Sequence, residues 1–261
     1  MANVIVQSGS GVFRAVAYIG ELSILWWQTI SWIFTPPFKG RRFLSQAKRI
    51  GPGSFFISSL VAFFVGMIIA LQMAYQMVKL SAEIYIPNVV AVSLTRELAP
   101  VLTALIVAGR IGAGITAEIG SMTVTEQVDA LRAFAVNPVK YLVVPRFLAL
   151  IVMLPILTIF ADLVGILGGY VICVLKLSVS SAMYITMVTG SLTTKDIMTG
   201  LIKTIFFGMI IAVVGCHQGL TVKGGAEGVG RATTISVVIS FIMIIITDCL
   251  FTTMFYFIFN A

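Results

Sequence analysis

Residues 86–111 read IPNVVAVSLTRELAPVLTALIVAGRI, a run in which apolar side chains predominate. An α-helix needs about 20 such residues to cross a bilayer, so this stretch predicts a membrane-spanning helix. Of the 261 residues in the chain, 59% are hydrophobic and 10% are charged. Because soluble domains carry roughly 25% charged residues, the composition excludes a soluble domain and indicates an integral membrane protein.

Four more apolar runs have the length of a spanning helix, at about 54–78, 147–175, 197–219 and 234–259. Inside a bilayer the backbone must satisfy its own hydrogen bonds, and a helix does so within one segment. We therefore predict an all-α fold with five transmembrane helices in one domain, residues 53–261.

Residues 1–52 precede this domain and have a different pattern. The segment at 12–34 contains all three tryptophans of the chain, and tryptophan favours the headgroup layer. Polar side chains recur there every seven residues and share one helical face, at Arg14, Glu21 and Gln28. We predict an amphipathic helix that lies in the membrane interface and ends at Pro36-Pro37, followed by a basic cytoplasmic linker. A sixth spanning helix is the alternative.

Basic residues predict the orientation, because cytoplasmic loops of membrane proteins carry an excess of lysine and arginine. With loops counted alternately, twelve basic residues fall on one side and four on the other. The four are Lys79, Lys176, Lys195 and Lys203. This asymmetry places the N-terminus in the cytoplasm, and five spans then place the C-terminus on the opposite, periplasmic side.

The loop between the second and third spans, residues 117–146, predicts a short helix outside the bilayer. Thr123 followed by Glu126 has the spacing of a capping box, which starts a helix. Asn137-Pro138 stops it, because the residue before a proline avoids the helical region. The predicted helix covers about 124–136.

This loop helix is amphipathic. Its apolar face holds Val124, Val128, Leu131 and Ala135. Its charged and polar residues are Glu126, Gln127, Asp129 and Arg132. Such a helix either rests on the membrane or on its own bundle, or docks into a partner, and the pattern by itself leaves both open.

Two segments resemble a known family. They are LTRELAPVLTALIVAGRIGAGITAEIGSMTVTEQVDALRAFAVNPVKYLVVPRFLA at 94–149 and GVGRATT at 228–234. Both are similar to the MlaE/YrbE permeases, the membrane subunits of ABC systems that move phospholipid between bacterial membranes, with relatives in the chloroplast envelope. The resemblance extends over most of the chain from about residue 40.

The resemblance implies a homodimer in the bacterial inner membrane, with an interfacial elbow helix at the N-terminus of each subunit. It also implies a cytosolic ATPase of the MlaF type, an MCE-domain ring of the MlaD type and, in some systems, a STAS-domain protein of the MlaB type. The helix at 124–136 corresponds to the coupling helix that seats in the ATPase, through Glu126, Gln127, Asp129 and Arg132. The chain itself has no GxxxxGK[ST] phosphate loop, so ATP hydrolysis is expected in a separate subunit.

The charged pair in the opening stretch needs an explanation, because one charge at mid-bilayer costs about 2.5–3.5 kcal/mol. Arg96 and Glu97 are adjacent and point about 100° apart on a helix, so they do not neutralise each other. We expect each to find a partner elsewhere or to reach water. Pro100 has no N–H to give the carbonyl of Arg96, so a kink and a local polar spot are expected there.

Two interpretations of this pair are open. In one, it forms salt bridges between helices, with Asp248 or Asp162 as candidate partners, or lies near enough to the outer face to reach it. In the other, it meets a lipid headgroup in a cavity between two protomers, because a phospholipid needs apolar walls and one or two polar contacts. The predicted lipid-contacting residues are Arg96, Glu97, Leu71, Gln72, Tyr75 and Met77.

A second class of function is a proton-driven secondary transporter that uses intramembrane carboxylates, namely Glu97, Asp162 and Asp248. No internal repeat supports it, and such transporters commonly have one.

A membrane enzyme is disfavoured because the chain has one histidine and neither an HExxH nor a GxSxG motif. That histidine, His217, and Lys223 are expected in a loop near the membrane surface. No cofactor, metal site or nucleic-acid partner is expected.

Overall fold

The computed structural model describes residues 2–35 and 40–259. Within them, regular structure is entirely helical, and five helical runs are long and apolar enough to cross a membrane, which confirms the predicted all-α class and span count. The five runs are Gly40–Leu80, Glu83–Val124, Val139–Leu175, Thr194–Leu220 and Gly225–Ile258.

The helices are numbered in chain order. Their bounds are α1 Ala2–Ile33, α2 Gly40–Met77, α3 Ile86–Ser93, α4 Ala99–Val107, α5 Ala113–Val124, α6 Gln127–Ala133, α7 Val144–Leu175, α8 Ser181–Ser191, α9 Thr194–Leu220 and α10 Gly225–Phe259. Because α6 joins the second and third spans and α8 joins the third and fourth, these two helices mark opposite ends of the bundle, called here the α6 end and the α8 end.

The second span is one helix with two π-helical segments in it. Leu94–Leu98 separates α3 from α4, and Ala108–Gly112 separates α4 from α5. A further π segment, Val139–Val143, precedes α7. Single π turns inside α-helices are rare and often occur at functional sites. All three segments contain ionisable residues: Arg96 and Glu97, then Arg110, then Lys140 and Tyr141.

Helix α1 packs along the bundle and is not among the runs whose length and composition suit a span. Its buried residues Leu22, Leu25 and Thr29 form a stripe with helical spacing. The predicted polar face is only partly free, because Glu21 Oε2 lies 3.1 Å from Nε2 of His217. The side chain of Arg14 and the predicted stop at Pro36-Pro37 lie outside the described residues.

The expected loop position of His217 is wrong. His217 lies in the last turn of α9 and is 8% exposed. Beside it, Nε2 of Gln218 donates to the hydroxyl of Tyr18, 2.9 Å away. These two contacts fasten α1 to the α6 end of α9. A lone histidine after an apolar run gives no sign of such a partner, because Glu21 is far away in sequence.

The predicted capping box of the loop helix is also wrong. Thr123 belongs to α5, and its hydroxyl donates to the carbonyls of Ile119 and Gly219. Glu126 has a left-handed backbone, φ 58°, and its side chain caps nothing. Because that residue turns the chain sharply, the helix begins only at Gln127, later than the spacing predicted.

The end of α6 differs from the prediction in the same way. Ala135 has φ 56°, and the N–H of Val136 donates to the carbonyl of Leu131, which is a Schellman-type stop. Asn137 does not stop α6. Its side-chain oxygen instead accepts from the N–H groups of Val139 and Lys140 and so caps the helix that follows.

Small residues allow the spans to approach closely. Along α2 they face α7 every four residues, at Ala62, Gly66, Ala70 and Ala74. A Cβ added to Gly66 would lie 1.9 Å from the carbonyl oxygen of Gly165 in α7, so the two backbones are in direct contact. This contact fixes the distance between the first and third spans.

One hydroxyl links the second, fourth and fifth spans. Oγ1 of Thr116 lies 3.0 Å from the carbonyl of Gly215 in α9 and 2.9 Å from the hydroxyl of Ser236 in α10.

At the α8 end, Tyr184 is buried, and its hydroxyl donates to the carbonyl of Ile166. Burial raises the pKa of Tyr184, because the charged phenolate would lose its hydration.

We predict that Gly66→Ala lowers the free energy of unfolding by about 1–3 kcal/mol, because the new methyl group forces α2 and α7 apart. Thermal or denaturant unfolding of the purified protein measures it. The matched control is Gly190→Ala in α8, where nothing lies within 4 Å of the added Cβ. Equal stability of the two variants would contradict the close α2–α7 contact.

Candidate functional site

A cluster of charged side chains lies inside the bundle toward the α8 end, where the first π segment of the second span meets α9 and α10. Its members are Arg96, Glu97, Asp196, Lys203, Asp248 and Thr252. We call it the Lys203 cluster.

Lys203 in α9 is the centre of the cluster. Its side chain is 0% exposed, and its ammonium group lies 2.5 Å from Oε2 of Glu97 and 2.9 Å from Oδ1 of Asp248. The same group donates to the hydroxyl of Thr252 at 2.7 Å. Counting Lys203 among the loop cations of the outer side is therefore wrong. Its carboxylate partners come from two other spans and permit its burial.

Pro100 explains why Lys203 also contacts the backbone. Proline offers no N–H to the carbonyl of Arg96, and the helix widens into the π segment Leu94–Leu98 at this point. Nζ of Lys203 donates to that carbonyl, 3.3 Å away. The predicted polar spot is confirmed, and a side chain from α9 supplies the hydrogen bond that the helix lacks.

Arg96 finds its partner at the start of α9. Its Nε lies 3.5 Å from Oδ1 of Asp196. Asp196 also completes a capping box with Thr193, whose hydroxyl and N–H both donate to Oδ2 of Asp196. Each member of the adjacent pair therefore has its own partner elsewhere, as expected, and the arginine partner is not either predicted aspartate.

The two predicted aspartates have different surroundings. Asp248 joins the cluster through Lys203 rather than through Arg96. Asp162 in α7 is 8% exposed, and its Oδ1 has no hydrogen-bond partner in the described part of the chain. Asp162 is therefore no member of the Lys203 cluster.

Arg96 and Glu97 both have a free side. Their side chains are 38% and 36% exposed, whereas Lys203 beneath them is fully covered. The cluster thus presents one guanidinium and one carboxylate outward from an apolar bundle, held by ion pairs behind them. Such a surface can bind a group that has both a negative and a positive charge.

The residues predicted to wall a lipid cavity lie on α2. Leu71, Gln72 and Tyr75 are exposed, and Nζ of Lys79 lies 4.2 Å from the ring centroid of Tyr75. Met77 is partly buried against the apolar cluster that includes Ile86. No hydrogen bond or ion pair between described residues joins these four to the Lys203 cluster.

The four predicted coupling residues are exposed: Glu126 lies in the turn before α6, and Gln127, Asp129 and Arg132 lie on α6. Asp129 and Arg132 form an ion pair of 2.9 Å across one helical turn. Val128 is 3% exposed and anchors the helix to the bundle. Phe134, just after α6, is 80% exposed and was not among the predicted residues. A large exposed apolar side chain next to the charged face of this helix is suited to a partner surface.

A second ionic cluster lies at the α6 end and is centred on Glu118 in α5. Its carboxylate pairs with Arg49 of α2 at 2.5 Å and with Arg146 of α7 at 2.7 Å. Arg146 is 4% exposed and also donates to the carbonyl of Leu142. The charge count had assigned both arginines to cytoplasmic loops, but both lie in helices.

We predict that Lys203→Met destabilises the protein by about 3 kcal/mol, because it leaves the carboxylates of Glu97 and Asp248 close together without a counter-charge. Adding Glu97→Gln and Asp248→Asn to this variant should restore most of the stability, since the site is then neutral. Unfolding midpoints of the three proteins test this. Stability of Lys203→Met equal to wild type would show that the cluster does not hold the helices.

Comparisons with known proteins agree with this architecture. The family model described as Permease MlaE matches residues 43–254. A probable ABC transporter permease protein of Rickettsia felis is 41% identical over 256 residues, which cover 98% of this chain and 99% of that protein.

Two further organisms contain similar proteins. A probable ABC transporter permease protein of Synechocystis is 44% identical over 208 residues, 80% of this chain and 79% of that protein. One of Pyropia yezoensis is 40% identical over 205 residues, 78% of each. The chain therefore belongs to the MlaE permease family and is a multi-pass membrane permease of the ABC transporter class.

Proposed function

We propose that this chain is the permease of an ATP-driven transporter that moves phospholipid between membranes, through a cavity between two copies of the chain. The observation that carries the proposal is the Lys203 cluster, which directs Arg96 and Glu97 outward from an apolar bundle. A zwitterionic headgroup has a phosphate for the guanidinium and an amine for the carboxylate. Leu71, Tyr75 and Met77 are proposed to contact its acyl chains, and Gln72 is proposed to make a polar contact.

The exposed side of α10 supports a homodimer. Only 17% of the most apolar stretch of this span is buried within the protomer. Its exposed apolar residues recur every three or four positions, at Ile235, Val238, Ile242, Ile245 and Ile246. Asp248 and Thr252 lie on the same helix, so pairing through α10 would bring two copies of the Lys203 cluster together.

The exposed surface of α6 supports a separate ATPase subunit. ABC permease family membership implies an ATPase partner, and α6 presents charged residues around the exposed Phe134. We propose that Glu126, Gln127, Asp129 and Arg132 contact this subunit.

The chain would then lie in a bacterial inner membrane with its N-terminus and α6 in the cytoplasm and its C-terminus in the periplasm. An MCE-domain ring and a STAS-domain protein are proposed as further subunits.

A second candidate, proton-driven transport, has one observation in its favour. The carboxylate of Asp162 is buried without a hydrogen-bond partner in the described residues, and buried carboxylates of this kind bind protons. Transport by the purified chain alone in response to a pH gradient would favour this candidate. Transport that requires the ATPase and ATP favours the first.

We predict that Arg96→Gln and Glu97→Gln each reduce phospholipid transfer by about tenfold or more while the ATPase stays bound, because each removes one charge-assisted contact to the headgroup. Transfer between proteoliposomes by the reconstituted complex measures it. Lys176→Gln, which removes a cation at the α8 end outside the cluster, is the control. Transfer at the wild-type rate in both variants would remove the proposed role of the pair.

We also predict that Arg132→Glu reduces binding of the ATPase by about tenfold or more, because it breaks the pair with Asp129 and puts two like charges on adjacent turns of α6. Copurification and a titration of the ATPase onto the purified permease measure this. Arg231→Glu on α10 changes charge equally away from α6 and is the control. An equal loss of binding in the control would show that net charge, not α6, is responsible.

A further inference from the structure

Arg110 lies in the second π segment of the second span and has no ion-pair or hydrogen-bond partner in the described part of the chain. It lies 14 residues, about 21 Å of helix, before the end of this span at Val124. Its guanidinium lies against the backbone of Gly53, where an added Cβ would be 2.9 Å from Nη1. Gly53 immediately precedes the apolar run of α2, so the group lies at the edge of the apolar zone rather than in a loop.

The surroundings of Arg110 form a small cleft lined by both polar and apolar residues. It has a volume of about 160 Å³, and its lining is Gln46, Arg49, Arg110, Ile111, Gly114 and Ile115. A water needs only about 15 Å³ of such space, so the cleft has room for a larger polar group. Gly53 and Gly114 bring backbone close to the two guanidinium groups and leave this space open.

The charge near the cleft is unbalanced. Arg49 is paired with Glu118, but the same carboxylate also holds Arg146, and Arg110 has none. Two guanidinium groups therefore share one carboxylate, and the third, that of Arg110, has no counter-charge among the described residues. The side chain of Arg49 is 54% exposed, and Arg110 is also exposed, so both can reach an incoming ligand. Two planar guanidinium groups at one cleft suit a phosphate, because each guanidinium can bind phosphate oxygens through two parallel hydrogen bonds.

The Lys203 cluster provides a parallel within the same span. Each of the two π segments contains an exposed arginine, Arg96 nearer the α8 end and Arg110 nearer the α6 end. Arg96 has Asp196 as its counter-charge, whereas Arg110 has no counter-charge within the described chain. A group that supplies negative charge from outside the protomer would complete it.

We propose that Arg110 and Arg49 form a binding site for a phosphate group at the α6 end, distinct from the Lys203 cluster. The phosphate belongs either to a lipid headgroup in the leaflet at that end or to a free anion. Only the lipid case rests on the proposed function, where the site would hold a phospholipid at one end of its path.

The test is native mass spectrometry of the delipidated full-length protein, titrated with phosphatidylglycerol and, separately, with diacylglycerol of the same acyl chains. Arg110→Gln should bind one phosphatidylglycerol about tenfold more weakly than wild type and bind diacylglycerol equally. The affinity of Arg110→Lys for phosphatidylglycerol should lie between those of wild type and Arg110→Gln, because lysine keeps the positive charge but cannot donate two parallel hydrogen bonds. Arg231→Gln, which removes an exposed cation at the same end, should bind like wild type.

Two further experiments distinguish a lipid headgroup from a free anion, and the Arg110 site from the Lys203 cluster. Inorganic phosphate that displaces the Arg110-dependent lipid assigns the site to a free anion, and a lipid that resists displacement assigns it to a headgroup. The double variant Arg96→Gln, Glu97→Gln should retain the Arg110-dependent lipid. Wild-type lipid binding by Arg110→Gln, or an equal loss of diacylglycerol, overturns the proposal. If Arg110→Gln binds normally while the double variant loses lipid, the proposed function stands without this site.

Discussion

The buried ammonium group of Lys203 is the interaction on which the arrangement of the α8 end depends. A lysine ammonium has three donors, and here they go to the carboxylate of Glu97, the hydroxyl of Thr252 and the carbonyl of Arg96. These partners come from the second span and from α10, so one side chain of α9 fixes three spans at one point. In a medium without water, these hydrogen bonds offset the cost of burying the ammonium group.

The same interaction is compatible with the lipid-binding role proposed for Arg96 and Glu97. Their ion pairs with Asp196 and Lys203 hold them in place, while over a third of each side chain stays uncovered. A binding group that is already fixed loses little conformational entropy when a ligand arrives. The structural and lipid-binding interpretations of this pair therefore do not exclude each other.

The α6 end has a different organisation, in which contacts gather around the ends of α5 and α9. Thr123 and Thr116 donate to carbonyls of α9, His217 contacts α1, and Glu118 contacts α2 and α7. Because α6 follows α5 after one sharp turn at Glu126, a displacement of α6 would reach these contacts directly. If an ATPase binds α6 as proposed, these contacts connect its binding surface to α1 and to the spans.

The amino-acid sequence by itself determined the class of the protein and the position of its spans, because apolar runs of bilayer length have no other stable state in lipid. It also indicated that Arg96 and Glu97 need separate partners and that Pro100 leaves a carbonyl free, since both follow from local helix geometry. Only the tertiary structure decided which residues those partners are. Lys203 is more than 100 residues from Glu97, and the charge count placed it in a loop on the periplasmic side. Glu21 is nearly 200 residues from its partner His217. Local patterns also failed at α6, where the left-handed turns at Glu126 and Ala135 replaced the predicted caps, because packing of α5 against α9 uses Thr123 elsewhere.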